Sequence, residues 1–329
     1  MALKWGILSA GKICNDFVNA LNYLPDNEHQ IVGVAASKKE KAEEFARKHN
    51  IPLAYECYED LAKDKSIDIV YIGSINTTHY ALCKLVLSNK KHLLCEKPLC
   101  LKYKDAEELI TMAKKNMLFF MEAVWSRCFP VYNELSQLLT SNVIGDVMYL
   151  TANLGIPISS VDRIKNKELG GGTIFDLGVY VLQLAILVFG RNPQSVSAVG
   201  HLNENGVDES INYVLKYYDG KTATFCTHSK IKMDNSAVIY GSKGHIKIKE
   251  SFHAPIAISV NDGEEKIFPL PPVEGENYFG CSQGLVYEAI EVRNCINKGL
   301  LESPKMTHED SLTIAKWQEE ICKLIGSQY

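Results

Sequence analysis

The chain has 329 residues, 35 Lys and Arg against 39 Asp and Glu, and 46% hydrophobic residues. That length carries two domains or one large α/β domain, and the apolar fraction excludes a disordered chain. A formal charge of −4 argues against a protein whose main work is gripping nucleic-acid phosphates, so no nucleic-acid partner is expected.

The start, Met-Ala-Leu-Lys-Trp-Gly, runs directly into a strand and lacks the pattern of a secretory signal, so a cytoplasmic setting is expected. Leu3–Ser9 reads as an apolar strand and Gly11–Leu24 as the helix after it. Ile31–Ala36 is a second buried strand, followed by a charged amphipathic helix over Lys38–His49. Ile67–Ser74 is a third strand, leading into a helix over Thr77–Asn89. His92–Cys95, Tyr103–Lys115 and Met117–Val124 then read as strand, helix and strand. Continuous apolar strands separated by helices imply a parallel sheet covered on both faces, an α/β domain over residues 1–125.

After Ser126 the pattern changes. One strong helix, Gly172–Phe189, contains the longest apolar run, Val179–Phe189. Gln183 breaks that run, which also falls short of the ~20 residues a bilayer span needs, so no membrane is expected. Strand-like segments follow near Val196–Leu202, Ile211–Tyr217, Thr222–Thr227, Ala237–Tyr240, His245–Ile248, Ala257–Val260 and Lys266–Phe268. Turns such as Asp219-Gly220, Ser242-Lys243-Gly244 and Asp262-Gly263 separate several of them, as in hairpins. Two helices, Tyr278–Lys298 and His308–Ile325, close the chain. Residues 126–329 therefore read as an α+β domain built on a large, predominantly antiparallel sheet.

The ten cysteines are scattered with no C-x-x-C pair and read as reduced, mostly buried thiols. Only Cys95 and Cys100 approach finger-type spacing, and no second pair completes a set of four, so no metal is expected. Asn76-Thr77-Thr78 matches a glycosylation pattern that is idle without secretion.

The turn after the first strand reads Gly6-Ile7-Leu8-Ser9-Ala10-Gly11-Lys12-Ile13-Cys14. Small residues here let the backbone approach a pyrophosphate at a helix N-terminus, where free amides and the helix dipole favour anions. Against G-x-G-x-x-G the register is Ser9-x-Gly11-x-x-Cys14, so only the middle glycine is kept, and a plain strand-to-helix turn would use the same residues. The second strand ends Ala35-Ala36-Ser37-Lys38-Lys39. An NAD site usually places a carboxylate there for the ribose 2′-hydroxyl. A hydroxyl and two cations suit a 2′-phosphate, hence NADP; a solvated helix start would also use two lysines.

Three further segments carry chemistry. Glu96-Lys97-Pro98 follows the strand His92–Cys95, at the strand end where ligands bind in such sheets. Asn76-Thr77-Thr78-His79 follows the third strand in the same way, although for His79 alone a hydrogen-bonded structural histidine is the stronger reading. Gly170-Gly171-Gly172 opens the apolar helix, on which Asp176 and Tyr180 are spaced to share one face. An N-terminal-turn aspartate and a half-buried tyrosine would also satisfy that pattern.

Together the Gly6–Ile13 turn, Asn76-x-x-His79, Glu96-Lys97-Pro98, Glu122-Ala123-x-Trp125-x-Arg127 and Gly-Gly-Gly-x-x-x-Asp176-x-x-x-Tyr180 resemble the glucose-fructose oxidoreductase/inositol dehydrogenase family. The resemblance runs the whole length, with matching motif order, and Tyr180, where many sugar-oxidising relatives have histidine, points to the dihydrodiol dehydrogenase branch. Ser9 and Cys14 depart from the usual small residues of the turn. The resemblance implies an N-terminal Rossmann domain that binds NADP, with substrate held between it and the C-terminal domain. It also implies a homodimer formed through the outer face of the C-terminal sheet, whose strands carry Val196, Val199, Tyr213, Leu215, Phe225 and Ile239.

The reaction it implies moves hydride between a secondary hydroxyl of a trans-dihydrodiol, or of an aldose such as D-xylose, and the nicotinamide. A free tyrosine, of pKa about 10, is a poor base at neutral pH, and a nearby ammonium would lower that value. Tyr180 is thus expected as the acid/base, Lys97 as the orienting cation, Asp176 as hydroxyl acceptor and anchor of Lys97, and His79 as an aid to nicotinamide placement or proton relay. The expected cofactor contacts are Ser9, Ala10, Gly11, Lys12, Ile13, Ser37, Lys38, Lys39, Tyr71, Asn76, His79, Glu96 and Lys97, and Trp125 and Arg127 line the substrate pocket. Lys97 as the base itself, an NADP(H)-binding regulator without turnover, and a dehydrogenase for another sugar or a dicarbonyl are the competing readings.

Overall fold

The computed structural model describes residues 1–327. Its contacts divide the described residues into two compact units, one of residues 1–100, 104–125 and 270–308, the other of residues 101–103, 126–269 and 309–327.

The first unit alternates β1 (Leu3–Leu8), α1 (Lys12–Tyr23), β2 (His29–Ala35), α2 (Lys39–His49), β3 (Leu53–Tyr55), α3 (Tyr58–Lys63), β4 (Ile69–Ile72), α4 (His79–Ser88), β5 (His92–Glu96), α5 (Tyr103–Lys115) and β6 (Phe120–Ala123). The six strands form one parallel sheet in the order β3-β2-β1-β4-β5-β6, the doubly wound Rossmann order. Its inner strands are buried along most of their length, which explains their continuous apolar sequence. Strand order reverses between β1 and β4, so the crevice at their carboxyl ends lies beside the Ser9–Gly11 turn. The short β3 and α3 carry too few apolar residues to be read from periodicity.

The second unit contains α6 (Pro130–Thr140), β7 (Val147–Gly155), α7 (Asp162–Lys165), α8 (Thr173–Asp176), α9 (Gly178–Phe189), β8 (Ser195–Leu202), β9 (Asp208–Lys216), β10 (Thr222–His228), β11 (Ala237–Gly241), β12 (Gly244–Ile248), β13 (Ala257–Val260) and β14 (Lys266–Ile267). These eight strands form one sheet, β14-β13-β12-β11-β7-β10-β9-β8, antiparallel except for the β7–β10 pair. Strand β7 is central in this sheet, yet its alternation of Leu150, Ala152 and Leu154 with Tyr149, Thr151 and Asn153 hides it from a search for apolar runs.

Three sequence expectations need correction. The helix expected over Gly172–Phe189 is two, α8 and α9, broken at Leu177, so Asp176 and Tyr180 do not sit one turn apart on a single helix. The helix expected over Tyr278–Lys298 is α10 (Leu285–Asn297) only; Asp16 of α1 accepts from the Tyr278 and Phe279 amides and from Ser282 Oγ, which holds the preceding segment in a non-helical path. Residues 270–308, expected in the C-terminal domain, cluster with the first unit because α10 packs on α1 and Phe120 N donates to Leu301 O. The closing helix is α11 (His308–Leu324).

The pleat also sorts the apolar residues of the large sheet. Tyr213, Leu215, Phe225 and Ile239 are buried on its inner face, so they do not form the outer surface. The opposite face is lined by Val199, Val214, Tyr149 and Tyr240, all exposed. Among the described residues no single helix is long and apolar enough to cross a membrane.

Candidate active site

In the first unit the turn from β1 to α1 places Gly11 as the N-cap of α1, with no acidic residue in the first turn, so the leading amides stay open to an anion. A Cβ on Gly11 would lie 3.5 Å from both Gly73 O and Ser9 Oγ, and glycine leaves that space open to a ligand. Ser9 adopts φ 95°, a left-handed conformation that glycine usually supplies. The third small residue of the fingerprint is replaced across the sheet. Cys14 is fully buried, and a Cβ on Gly73 would lie 2.5 Å from its sulfur, so Gly73 provides the close helix–strand approach. Ser37, Lys38 and Lys39 are exposed at the carboxyl end of β2.

Burial drives the Cys14 thiol up to about 12 and Cys95 well above its ordinary value. Neither forms appreciable thiolate at neutral pH. At pH 7.5, N-ethylmaleimide is expected to label Cys57, Cys226 and Cys281, which are partly exposed, well before Cys14 or Cys95. Mass spectrometry of a labelling time course checks this, and early modification of Cys14 or Cys95 would contradict it.

At the end of β5, Tyr71 Oη donates to Glu96 Oε1 at 2.7 Å, and the Lys97 amide lies 3.3 Å from Glu96 Oε2. Tyr71 and Glu96, both expected at the cofactor, are thus buried and bonded to each other. Glu122 accepts from the Leu99 amide at 2.9 Å and braces the Lys97-Pro98 segment from β6. His79 is fully buried, with Nδ1 at 2.8 Å from Pro98 O and Nε2 at 3.2 Å from Ser74 O. Burial lowers its pKa. Its ring nitrogens face backbone carbonyls, which favours a brace between two loops over a proton relay. Lys97 is partly exposed, and Asn76 opens a short helical turn over Asn76–Thr78.

In the second unit Asp176 accepts from Arg163 Nη1 of α7 at 2.8 Å. The Tyr180 ring, in the first turn of α9, lies 5.1 Å from the His253 ring at 45°. Arg127 is buried, with Nε donating to Gln183 Oε1 at 2.6 Å and Nη2 to Gln183 O at 2.8 Å. Gln183 Nε2 in turn donates to Tyr132 Oη and Tyr180 O, so the residue that interrupts the apolar run joins these groups. Trp125 is buried at the start of the short turn Trp125–Cys128. The sequence reading gave Arg163 no pairing with Asp176 and gave His253 no role. Arg163 lies in the single-turn helix α7, too short to carry a periodic pattern, and His253 comes from a distant loop whose approach to Tyr180 is purely tertiary.

A family model described as an oxidoreductase family with an NAD-binding Rossmann fold matches residues 3–123. The GFO/IDH/MocA C-terminal domain matches residues 132–247. Among curated relatives, the trans-1,2-dihydrobenzene-1,2-diol dehydrogenase of Xenopus tropicalis is 45% identical over 330 residues, covering 100% of both chains. That of Homo sapiens is 38% identical over 327 residues, covering 99% of this chain and 98% of its own. A solved 3-ketoreductase from Actinomadura kijaniata, in complex with NADP and TDP-benzene, superposes with a TM-score of 0.84 at 23% identity, covering 99% of this chain and 98% of that one. A levoglucosan dehydrogenase in complex with NADH and levoglucosan gives 0.86 at 16% identity, with the same coverage. These two structures show the shared fold. The domain matches and the full-length relatives together place the chain in the GFO/IDH/MocA oxidoreductase family.

Proposed function

We propose that the protein is an NADP-dependent dehydrogenase acting on a secondary hydroxyl of a trans-dihydrodiol or of an aldose such as D-xylose. The observation that carries this is the full-length identity of 38–45% to relatives named trans-1,2-dihydrobenzene-1,2-diol dehydrogenase. The Gly11 cradle and the open amides of α1 fit a dinucleotide pyrophosphate. Ser37, Lys38 and Lys39 fit a 2′-phosphate.

When bound, the nicotinamide supplies the acceptor or donor of hydride at C4. The remaining chemistry belongs to side chains. The base must lie within hydrogen-bond reach of the reacting hydroxyl. Tyr180 is assigned that proton, Lys97 the positive charge that favours the phenolate, and Asp176 the role of hydroxyl acceptor. Arg163 orients the Asp176 carboxylate through a charge-assisted hydrogen bond. His79 and Glu122 keep the Lys97-Pro98 segment in place. Trp125 and Arg127 belong to the substrate side in this reading, with Arg127 acting through Gln183.

Exchange of Ser37 for Asp together with Lys38 for Ala is expected to raise the KM for NADP+ at least tenfold and to leave that for NAD+ similar or lower, because it sets a carboxylate against the 2′-phosphate. Steady-state kinetics with both cofactors checks this; unchanged discrimination would remove these residues from the site. The exposed outer face of the large sheet, with Val199, Val214, Tyr149 and Tyr240, suits pairing with a second copy, and a cytoplasmic homodimer is part of the proposal. Light scattering of a Val214→Lys, Tyr240→Lys variant is expected to report a monomer, and a persistent dimer would place the interface elsewhere.

A further inference from the structure

The chain from Gly275 to Cys281, just ahead of α10, forms neither helix nor strand, yet it is fastened along α1 within the first unit. Asp16, fully buried on α1, accepts from the Tyr278 amide at 2.9 Å, the Phe279 amide at 3.0 Å and Ser282 Oγ at 2.5 Å. Asn15 Nδ2 and Asn19 Nδ2 donate to Glu276 O at 2.8 and 3.0 Å, and Asn19 Nδ2 also meets Asn277 Oδ1 at 3.1 Å. Gly275 has φ 101°, and a Cβ there would lie 3.0 Å from the Asn19 amide nitrogen, so glycine lets the backbone run this close to α1. A helix thus buries three polar side chains, Asn15, Asp16 and Asn19, to hold one loop.

That loop sets Tyr278 beside the head of α1. Its exposed ring has the Lys12 ammonium 5.4 Å from the centroid and the Lys48 ammonium at 5.5 Å. Lys48 is fixed a second time, donating to Asn15 Oδ1 at 2.6 Å. Lys12 opens α1 directly after the Gly11 N-cap, and no carboxylate among the described residues pairs with it. A ring face attracts an ammonium without consuming its N–H donors, so Lys12 is held in place and still offers them to an anion. A free lysine stem loses rotamer freedom when it closes on a ligand, and holding it beforehand removes that cost.

We propose that Gly275–Ser282 is a strap belonging to the dinucleotide site, with Asp16 as the positioning residue that ties it to α1 and Tyr278 presetting the Lys12 ammonium for the cofactor diphosphate. The role given to Lys12 rests on the diphosphate sitting at the α1 turn, as proposed above. NAD and NADP share that diphosphate, so the strap raises affinity for both and leaves the choice between them to Ser37 and Lys38.

The fluorescence of reduced nicotinamide, titrated with the full-length protein, reads affinity without turnover. Tyr278→Leu is expected to raise the Kd for NADPH about two- to fivefold, the size of one exposed cation–π contact, and that for NADH by the same factor. Tyr278→Phe, which keeps the ring, is expected to recover most of the loss. In a Lys12→Met background, Tyr278→Leu is expected to add nothing. Asp16→Asn is expected to speed hydrogen exchange at the Tyr278 and Phe279 amides and to weaken NADPH binding by a similar factor. Ser282→Ala, which removes a single donor from Asp16, is expected to act in the same direction if the asparagine variant does not fold. Full affinity in Tyr278→Leu, an equal loss with and without Lys12, a loss confined to NADPH, or faster exchange at unchanged affinity would overturn the proposal. Wild-type protein that binds neither NADPH nor NADH would overturn the cofactor reading itself, and the strap with it.

Discussion

Replacing Tyr180 with phenylalanine is expected to lower kcat by about 10²–10⁴-fold, the range that a positioned acid/base supplies, while NADP(H) still binds. The hydroxyl is the only part removed, and the ring keeps its place against His253. Lys97→Met is expected to cost a similar factor for a different reason. It removes the cation proposed to favour the phenolate, so residual activity should rise steeply with pH as an unassisted tyrosine, of pKa about 10, begins to ionise. Stopped-flow and steady-state rates from pH 6 to 10 separate the two assignments. Near-normal turnover in Tyr180→Phe would pass the base role to Lys97, the competing reading of this site.

The second large effect concerns stability. Asp208, at the start of β9, is buried beneath α8, where it accepts from Thr173 Oγ1 at 2.6 Å and from the Ile174 amide at 3.0 Å. Desolvation pushes its carboxyl up to about 6, against a model-peptide value near 3.8, although the α8 donors pull the other way. The folded state therefore binds this proton more tightly than the unfolded chain. That contribution is fully present below about pH 4 and is lost as pH rises through about 6. Two pH units correspond to about 3 kcal/mol, so the ionised Asp208 costs the fold roughly that amount at pH 7.5. Asp208→Asn keeps an acceptor for α8 and removes the charge. Its unfolding free energy is expected to lack the fall between pH 4 and 6 and to equal or exceed that of the wild type at pH 7.5. Asp208→Ala strips the α8 start of its acceptor and is expected to be the less stable of the two variants. Urea unfolding at pH 4, 5, 6 and 7.5 checks this; parallel pH dependence in wild type and Asp208→Asn would show that the carboxyl titrates normally.

Much of the first sheet was legible because a buried parallel strand must be apolar on both faces, so β1, β2, β4 and β5 stand out as runs between charged helices. The large sheet was legible where turns such as Asp219-Gly220 announce hairpins. It was not legible at β7, whose pairing partners β10 and β11 lie far along the chain and whose outward residues are polar or aromatic. The break at Leu177 was hidden for a related reason: α8 is held from outside, by Asp208 and by Gln318, which donates to Ile174 O at 3.0 Å, and no periodicity records such tethers.

Residue types with distinctive chemistry next to strand ends or glycines, such as Lys97, Asp176 and Tyr180, are those a sequence can nominate for a role. The groups that contact them in the fold are not marked in the same way. Arg163, His253 and Gly73 are ordinary residues until the fold sets them against Asp176, Tyr180 and Cys14. The same limit applies to His79, whose engagement with Ser74 and Pro98 carbonyls is invisible in Asn76-x-x-His79.

The central claim is tested most directly by near-ultraviolet absorbance of reduced nicotinamide after trans-1,2-dihydrobenzene-1,2-diol is added to the purified protein with NADP+. A steady rise is expected, faster with NADP+ than with NAD+, and D-xylose is expected to be a second substrate in the same assay. Binding of NADP(H) with no rise for the diol, D-xylose, D-glucose or myo-inositol would contradict the dehydrogenase reading and favour a nucleotide-sensing protein.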